Sequence, residues 1–416
     1  ARYDGRIVVL EREPAVAEHA SRRNTGVVHQ PFYLHPRDQR LFARAARVSY
    51  GLWLKYAREK GLPAKEVGTY EVALADKDVD VLEKYVGYAA ENGMAANEVE
   101  LLDGREMGRR EPNIACVGAF LSKTDTAVDF HAFTDALRKD AEALGVTFLT
   151  GSSVSRIDVK ENDVDVALDG GKPPLQTRYL IGCAGGDAVD IAHEMGVGLE
   201  YTDLHFRGEY WVVDERVANL VGRNVYSVPR HPDLPFLDPH WVVRWNGRRE
   251  IGPNAVPVAG SHAYDSLARQ VLPWIAKFYE PPIENKLRLL LSPDFLALTA
   301  TEMWSSVSKG EMMRRVQRFV PALRKEHLVG PGIAGIRTPV INRKGAIIKE
   351  AIEVPGPHSY HILNYNSPGA TGSPAFAAYL VDRLAARGDL GHLKRNPKPQ
   401  NVWDWDTVAK GMGLGT

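Results

Sequence analysis

The sequence predicts an α/β fold in which a parallel sheet, assembled from separated stretches, carries an inserted antiparallel sheet. Three observations predict it. Ile7-Val8-Val9-Leu10 is an apolar run closed by an acid, Glu11, at the place where a parallel strand of a dinucleotide-binding unit ends. Tyr179-Leu180-Ile181-Gly182 runs into Cys183-Ala184-Gly185-Gly186, small residues ahead of a helix, as in sheets that present backbone N–H groups to a bound phosphate or ring. Glu200 to Tyr264 differs in kind: Trp211-Val212-Val213 and Trp241-Val242-Val243-Arg244-Trp245 alternate, and Asn246-Gly247 is a hairpin turn signal.

With 416 residues the chain is long enough for two or three domains. Hydrophobic residues make up 44% and charged residues 25%, an ordinary globular balance. Lys plus Arg equal Asp plus Glu at 52 each, so no nucleic-acid footprint is expected. Cys116 and Cys183 lie far apart and outside any C-x-x-C spacing, which predicts neither a metal site nor a disulfide scaffold and points to a reducing, cytoplasmic setting. No apolar run reaches the roughly 18 residues of a membrane span.

Glu11 is the candidate for the ribose hydroxyls of an adenosine, and a G-x-G-x-x-G loop belongs about 20 residues before such an acid. Only ten residues precede Glu11, and they hold one glycine, Gly5. Ala1 to Arg6 therefore reads as the tail of a first helix, with the first strand and phosphate loop upstream of Ala1. On that reading the chain as it stands leaves inner strand edges open and is expected to be poorly soluble and colourless.

Asn24-Thr25-Gly26-Val27-Val28-His29 fits a loop whose glycine lets backbone approach a planar ligand. Phe42 to Lys60 reads as an amphipathic helix stopped by Gly61, Gly68 to Leu74 as a strand and Val79 to Asn92 as a helix. Thr124 to Leu144 is expected to be helical with Asp129 as a cap, followed by strands at Gly145–Leu149, Val154–Val159 and Val164–Leu168. Leu267 to Leu291 and Ser308 to Arg324 read as helices. Near the end, Ile362 to Asn366 is a strand, Ser367 to Ser373 a small-residue turn and Ala375 to Leu384 a helix whose N-terminus can face an acceptor. The only literal G-x-G-x-x-G, Gly330 to Gly335, contains Pro331 and is followed by strand-like residues, so it is rejected as a phosphate loop. The expected division is 1–66, 125–200 and 326–416 for the parallel part and 67–124 with 201–325 for the inserted part.

Asn24 to His29, Phe206-Arg207-Gly208-Glu209-Tyr210, His240 to Arg244 with Gly252-Pro253-Asn254-Ala255-Val256, Gly335-Ile336-Arg337 and Ser367-Pro368-Gly369-Ala370-Thr371 occur in this order. Together they resemble the FAD-dependent L-2-hydroxyglutarate dehydrogenases and oxidases of the D-amino-acid-oxidase-like flavoproteins. The resemblance runs from Ile7 to about Leu384. It implies a Rossmann-like FAD-binding domain, an antiparallel-sheet substrate domain, and oxidation of an L-2-hydroxy acid, most directly L-2-hydroxyglutarate to 2-oxoglutarate, by hydride transfer to flavin N5. It further implies FAD contacts at Glu11, Arg12, Asn24, Thr25, Gly26, Val27, Val28, His29, Val154, Cys183, Ala184, Gly185, Gly335, Arg337, Ser367, Pro368, Gly369, Ala370 and Thr371. A dicarboxylate in a desolvated pocket calls for bidentate arginine, for which Arg244 and Arg337 are the candidates, and a base working near neutrality favours histidine, for which His29 and His240 compete. Two departures fall beside the expected substrate: Gln30-Pro31 follow His29 where a Ser-Gly pair is usual, and Gly369 stands where alanine is commoner. An amine or amino-acid oxidase of the same superfamily, or a fragment that does not bind FAD, are the alternatives. The partner is a small 2-hydroxy acid; the electron acceptor (oxygen, a quinone or another carrier) stays open, as does peripheral contact with the inner face of a membrane.

Overall fold

The computed structural model describes residues 2–230, 238–264, 267–396 and 402–414. The parallel part comes in two pieces. Val8–Leu10 pairs in parallel with Thr147–Leu149, and Glu11 N–H extends the ladder to Leu149 O at 3.1 Å. Leu180–Gly182 pairs in parallel with Ser359–Asn364, whose other edge is joined antiparallel by Ile352–Gly356. Behind the second piece lie two long helices. Arg40–Lys60 buries Phe42, Ala45, Ser49, Leu52, Trp53 and Tyr56 on one face and ends at Gly61 in the left-handed region (φ 65°). That face packs on Gly369–Ala386, with Ala45 and Leu52 sharing a core with Ala375, Phe376, Leu380 and Leu384. Small residues let the two helices approach closely: Ser49 Oγ donates to Gly372 O at 3.1 Å and accepts from Ala375 N at 3.0 Å.

The inserted part is an eight-stranded sheet in the order Leu328–Pro331, Trp211–Val213, Arg249–Gly252, His240–Val243, Asn224–Ser227, Thr69–Ala73, Gly118–Ser122 and Val99–Asp103. Its pairings are antiparallel except between Asn224–Ser227 and Thr69–Ala73. Side chains alternate between faces along each strand. Tyr70, Val72, Val225, Trp241, Val243 and Ile251 go to an apolar core closed by Met312, Val316 and Phe319 of the Lys309–Gln317 helix. By the same alternation, Thr69, Glu71, Asn224, Tyr226, His240 and Glu250 are buried or half-buried on the opposite face. That polar face is the floor of the site.

Several elements depart from the sequence reading. The helix expected from Thr124 starts at Phe130, because Thr126–Val128 is a strand between Val27–Val28 and Ala64–Glu66; Asp129 is the cap, with Oδ1 accepting from His131 N at 3.0 Å and Ala132 N at 3.3 Å. The stretch from Leu267 to Leu291 is two helices, Leu267–Phe278 and Ile283–Leu290, parted by Pro281-Pro282, and a further helix, Pro293–Val307, follows Ser292 as its cap. The helix expected over Ser308 to Arg324 stops at Gln317. The last helix begins at Gly369 rather than Ala375, so the small-residue turn forms its first turns. Leu328–Pro331, which the sequence reading places with the parallel part, pairs with Trp211–Val213 in the inserted sheet. Gly330 to Gly335 spans the ends of two strands and opens no helix. Among the described residues, no helix is long and apolar enough to cross a membrane.

Candidate active site

His29 follows the buried Val27–Val28 strand, and its backbone N–H is held by Thr371 Oγ1 at 3.1 Å in the first turn of the last helix. Its Nδ1 lies 2.9 Å from Asp125 Oδ2. Asp125 is fully buried; Oδ2 also accepts from Thr69 Oγ1 at 2.8 Å, while Oδ1 accepts from Ser122 Oγ at 2.7 Å and Gln30 N at 3.0 Å. A carboxylate fixed by so many donors can take a hydrogen from Nδ1 and leave Nε2 as the free nitrogen of the ring. The ring meets Tyr33 edge-on at 6.3 Å and Tyr226 edge-on at 6.0 Å.

Tyr226 stacks on His240 at 4.0 Å. His240 Nδ1 lies 3.2 Å from Asp238 O, which can only accept, so Nδ1 carries the hydrogen and Nε2 faces Tyr210 Oη at 3.5 Å. Burial pushes the His240 ring down to about 3, with the charge of Arg337 adding to the effect, so the ring is neutral at physiological pH. Arg337 sits in the Gly335–Arg337 strand opposite Phe206, half-buried. Its charge bears on Tyr33, Tyr210 and His240, and among the described residues no carboxylate or carbonyl engages its guanidinium.

Arg244 is placed differently from the expectation of a carboxylate grip. Nε lies 2.9 Å from Glu250 Oε2, Nη2 reaches the same oxygen, and Nη1 donates to Asn24 O at 2.7 Å. Its fork is occupied, so it ties the Asn24–Gly26 turn to the sheet and positions that turn rather than reaching for a ligand. Gly26 lies in the left-handed region (φ 73°), and a Cβ there would stand 3.0 Å from Val128 O. Gly335 is more restricted, since a Cβ would come within 1.8 Å of Arg23 O. Gly335→Ala should therefore push the two backbones apart and destabilise the fold by about 1–3 kcal/mol, read as a lowered unfolding midpoint; an unchanged midpoint would show that this contact is not maintained.

The expected cofactor residues fall into two groups. Asn24 to His29, Gly335, Arg337 and Ser367 to Thr371 come together: Thr371 Oγ1 donates to Val27 O at 3.4 Å. The last helix has no side-chain cap and no acid in its first turn, so its N-terminal N–H groups and partial charge are available to an electron-rich carbonyl or phosphate. In the other group, Arg12 next to Glu11 reaches the turn after Cys183-Ala184-Gly185, with Nη1 2.7 Å from Asp187 Oδ2, and Leu10 and Val154 pack against one apolar cluster around Ile157 and Val166. An acid closing a parallel strand, an uncapped helix terminus and a glycine turn beside a half-buried arginine fit a flavin dinucleotide. The buried Tyr226 Oη, without a partner among the described residues, points to a ligand over the same floor. A cavity of about 630 Å³, lined by Arg22, Arg23, Arg207, Tyr264 and Gly332, adjoins the cluster at Tyr210.

The model of the DAO family, described as FAD dependent oxidoreductase, matches residues 1–383. The chain belongs to that family. Among curated relatives of this flavoprotein, L-2-hydroxyglutarate dehydrogenase of Salmonella houtenae is 28% identical over 95% of this chain and 90% of its own length. The Escherichia coli K12 protein of the same name is 27% identical over 94% and 91%, and the mitochondrial human one 26% identical over 92% and 84%. Among solved structures, an L-alpha-glycerophosphate oxidase of Mycoplasma pneumoniae with FAD bound is similar with a TM-score of 0.71, at 19% identity over 95% of this chain and 91% of that one. Glycine oxidase of Geobacillus kaustophilus follows with a TM-score of 0.66, at 17% identity over 92% and 88%. These two show the fold, a Rossmann-like α/β flavoprotein architecture.

Proposed function

We propose that this FAD-dependent oxidoreductase oxidises an L-2-hydroxy acid to the 2-oxo acid, with L-2-hydroxyglutarate as the leading substrate. The observation that carries the reading is Arg337, engaged by no carboxylate or carbonyl among the described residues, whose charge reaches Tyr33, the ring that meets His29 edge-on, while His29 Nδ1 is held by the buried Asp125. The names of the curated relatives support the same substrate. Arg337 would take the C1 carboxylate in a two-point contact, which sets the carbinol carbon relative to the floor of tyrosines. His29 Nε2 would receive the hydroxyl proton, while Asp125 holds Nδ1–H and offsets the charge that appears on the ring. His240, neutral and with Nε2 turned to Tyr210, would hold that tyrosine rather than act as the base. FAD, when bound, supplies the acceptor for the hydride leaving C2. Glu11, the Asn24–His29 loop and the terminus of the last helix would hold it.

The reading carries a cytoplasmic location, in keeping with two cysteines that form no disulfide. It leaves oxygen, a quinone or another carrier as acceptor, and a quinone would require peripheral contact with the inner face of a membrane. Turnover of FAD-loaded protein, scored for 2-oxo acid and for ammonia, separates this reading from that of an amino-acid oxidase. L-2-hydroxyglutarate should give 2-oxoglutarate and no ammonia. Ammonia from glycine or glutamate, with every L-2-hydroxy acid left intact, would overturn it.

A further inference from the structure

Glu71 is a buried acid that the chemistry above does not use. It lies in the Thr69–Ala73 strand, 7% exposed, between Tyr226 on one neighbouring strand and Phe120 on the other. All three share the polar face of the sheet. Tyr226 contacts both histidines of the site, and Phe120 stacks on Phe32 at 4.8 Å and meets Tyr85 edge-on at 6.3 Å. The charge of Arg337 bears on Tyr210, His240 and Tyr33; that of Glu71 bears on Tyr85, Tyr226 and Tyr33. Arg337 and Glu71 therefore both lie within electrostatic reach of Tyr33.

The acids near Glu71 are served by their surroundings. Asp125 has the donors already described, and Asp238 takes Arg230 Nε at 2.9 Å and its N–H at 3.1 Å, with Arg315 Nη2 at 3.6 Å. No donor or cation among the described residues reaches the Glu71 carboxyl. Burial, with the charges of Asp238 and Asp125 behind it, raises that carboxyl well above the usual carboxylate range, and with no cation among the described residues to offset a charge there the neutral form is favoured. A buried O–H without a protein acceptor is a site for a ligand oxygen.

We propose that Glu71 determines specificity at this site by donating its O–H to an acceptor oxygen at the end of the substrate remote from the carboxylate on Arg337. The proposal rests on the reading that the site oxidises a 2-hydroxy acid. In L-2-hydroxyglutarate the accepting oxygen belongs to the C5 carboxylate, and an O–H to carboxylate bond is among the stronger hydrogen bonds a protein makes. One arginine and one neutral acid then hold a dicarboxylate without a second cation. The groups facing Glu71 are Asp125, Asp238, Tyr33, Tyr85 and Tyr226. Burial raises the three phenols and the Arg230 contact lowers Asp238, so none of these four changes charge near neutrality. The His29–Asp125 pair serves every substrate and cancels in a ratio of two.

The test is the ratio of kcat/KM for L-2-hydroxyglutarate to that for L-2-hydroxyvalerate, which lacks the remote oxygens, measured against pH in FAD-loaded parent, Glu71→Gln and Glu71→Leu. The parent's ratio should fall by about ten- to a hundredfold toward alkaline pH, as the donor becomes a carboxylate facing a carboxylate. Glu71→Gln, whose amide donates at every pH, should keep the ratio and flatten its pH dependence. Glu71→Leu should lower the ratio by about tenfold or more throughout. A ratio unmoved by Leu, or lowered equally by Gln and Leu, overturns the role of Glu71. A parent that oxidises neither compound overturns the 2-hydroxy-acid reading itself.

Discussion

His29→Asn lowers kcat for an L-2-hydroxy acid by about a hundred- to ten-thousandfold, while KM changes little. Loss of a positioned general base costs rate by about this factor, whereas the carboxylate contact proposed for Arg337 would stay in place. The side chain that matters is Nε2, because Nδ1 is committed to Asp125 at 2.9 Å. Asp125→Asn should fall in the same direction, since an amide can accept Nδ1–H through oxygen or turn its NH₂ to the ring and reverse the tautomer. His240→Asn should be milder: that ring is neutral, buried and turned to Tyr210. Steady-state kcat and KM for the three variants decide the matter. Normal turnover in His29→Asn with loss in His240→Asn would exchange the two roles.

Arg337→Leu raises KM by roughly ten- to a hundredfold and leaves thermal stability close to the parent's. The two halves of this expectation share one cause. A half-buried guanidinium with no partner among the described residues contributes little to folding, and its removal strands no acid there; what it would lose is the proposed contact with the substrate carboxylate. Arg337→Lys keeps the charge but not the fork, and should fall between parent and leucine. Arg244→Leu supplies the contrast. It strands Glu250, 1% exposed, whose remaining cation is Arg248 at 3.3 Å, so stability should drop toward the lower part of about 3–5 kcal/mol. Equal loss of stability at both arginines would mean that Arg337 has a structural partner and is not a binding group.

The contrast between the arginines also shows what could be read in advance. Alternation and turn chemistry carried the strands at Val154–Val159 and Val164–Leu168, the helix stop at Gly61 and the hairpin at Asn246-Gly247, because each is a local signal. The pairing of Arg244 with Glu250 had a signal too: both flank that hairpin turn, and its register puts Glu250 opposite Val242, two residues from Arg244. Asp125 was hidden for another reason. It lies in Ser122-Lys123-Thr124-Asp125-Thr126, a polar connection that merges with the following helix in a propensity reading, and its partner is 96 residues away. Glu71 could be placed on a strand but not on a face of the site, since both faces of that strand are buried and only the pairing with Tyr226 tells them apart. The start of the last helix was missed because Gly, Ser and Pro there resemble a turn, whereas contacts of Ser49 and Trp53 hold it helical.

The most direct measurement of the central claim is anaerobic mixing of the FAD-loaded protein with L-2-hydroxyglutarate, and with the same compound deuterated at C2, while the flavin absorbance is followed. The account predicts bleaching, slower with the deuterated compound and far slower in His29→Asn. Flavin that stays oxidised with every L-2-hydroxy acid, yet is bleached by an amino acid, would contradict it.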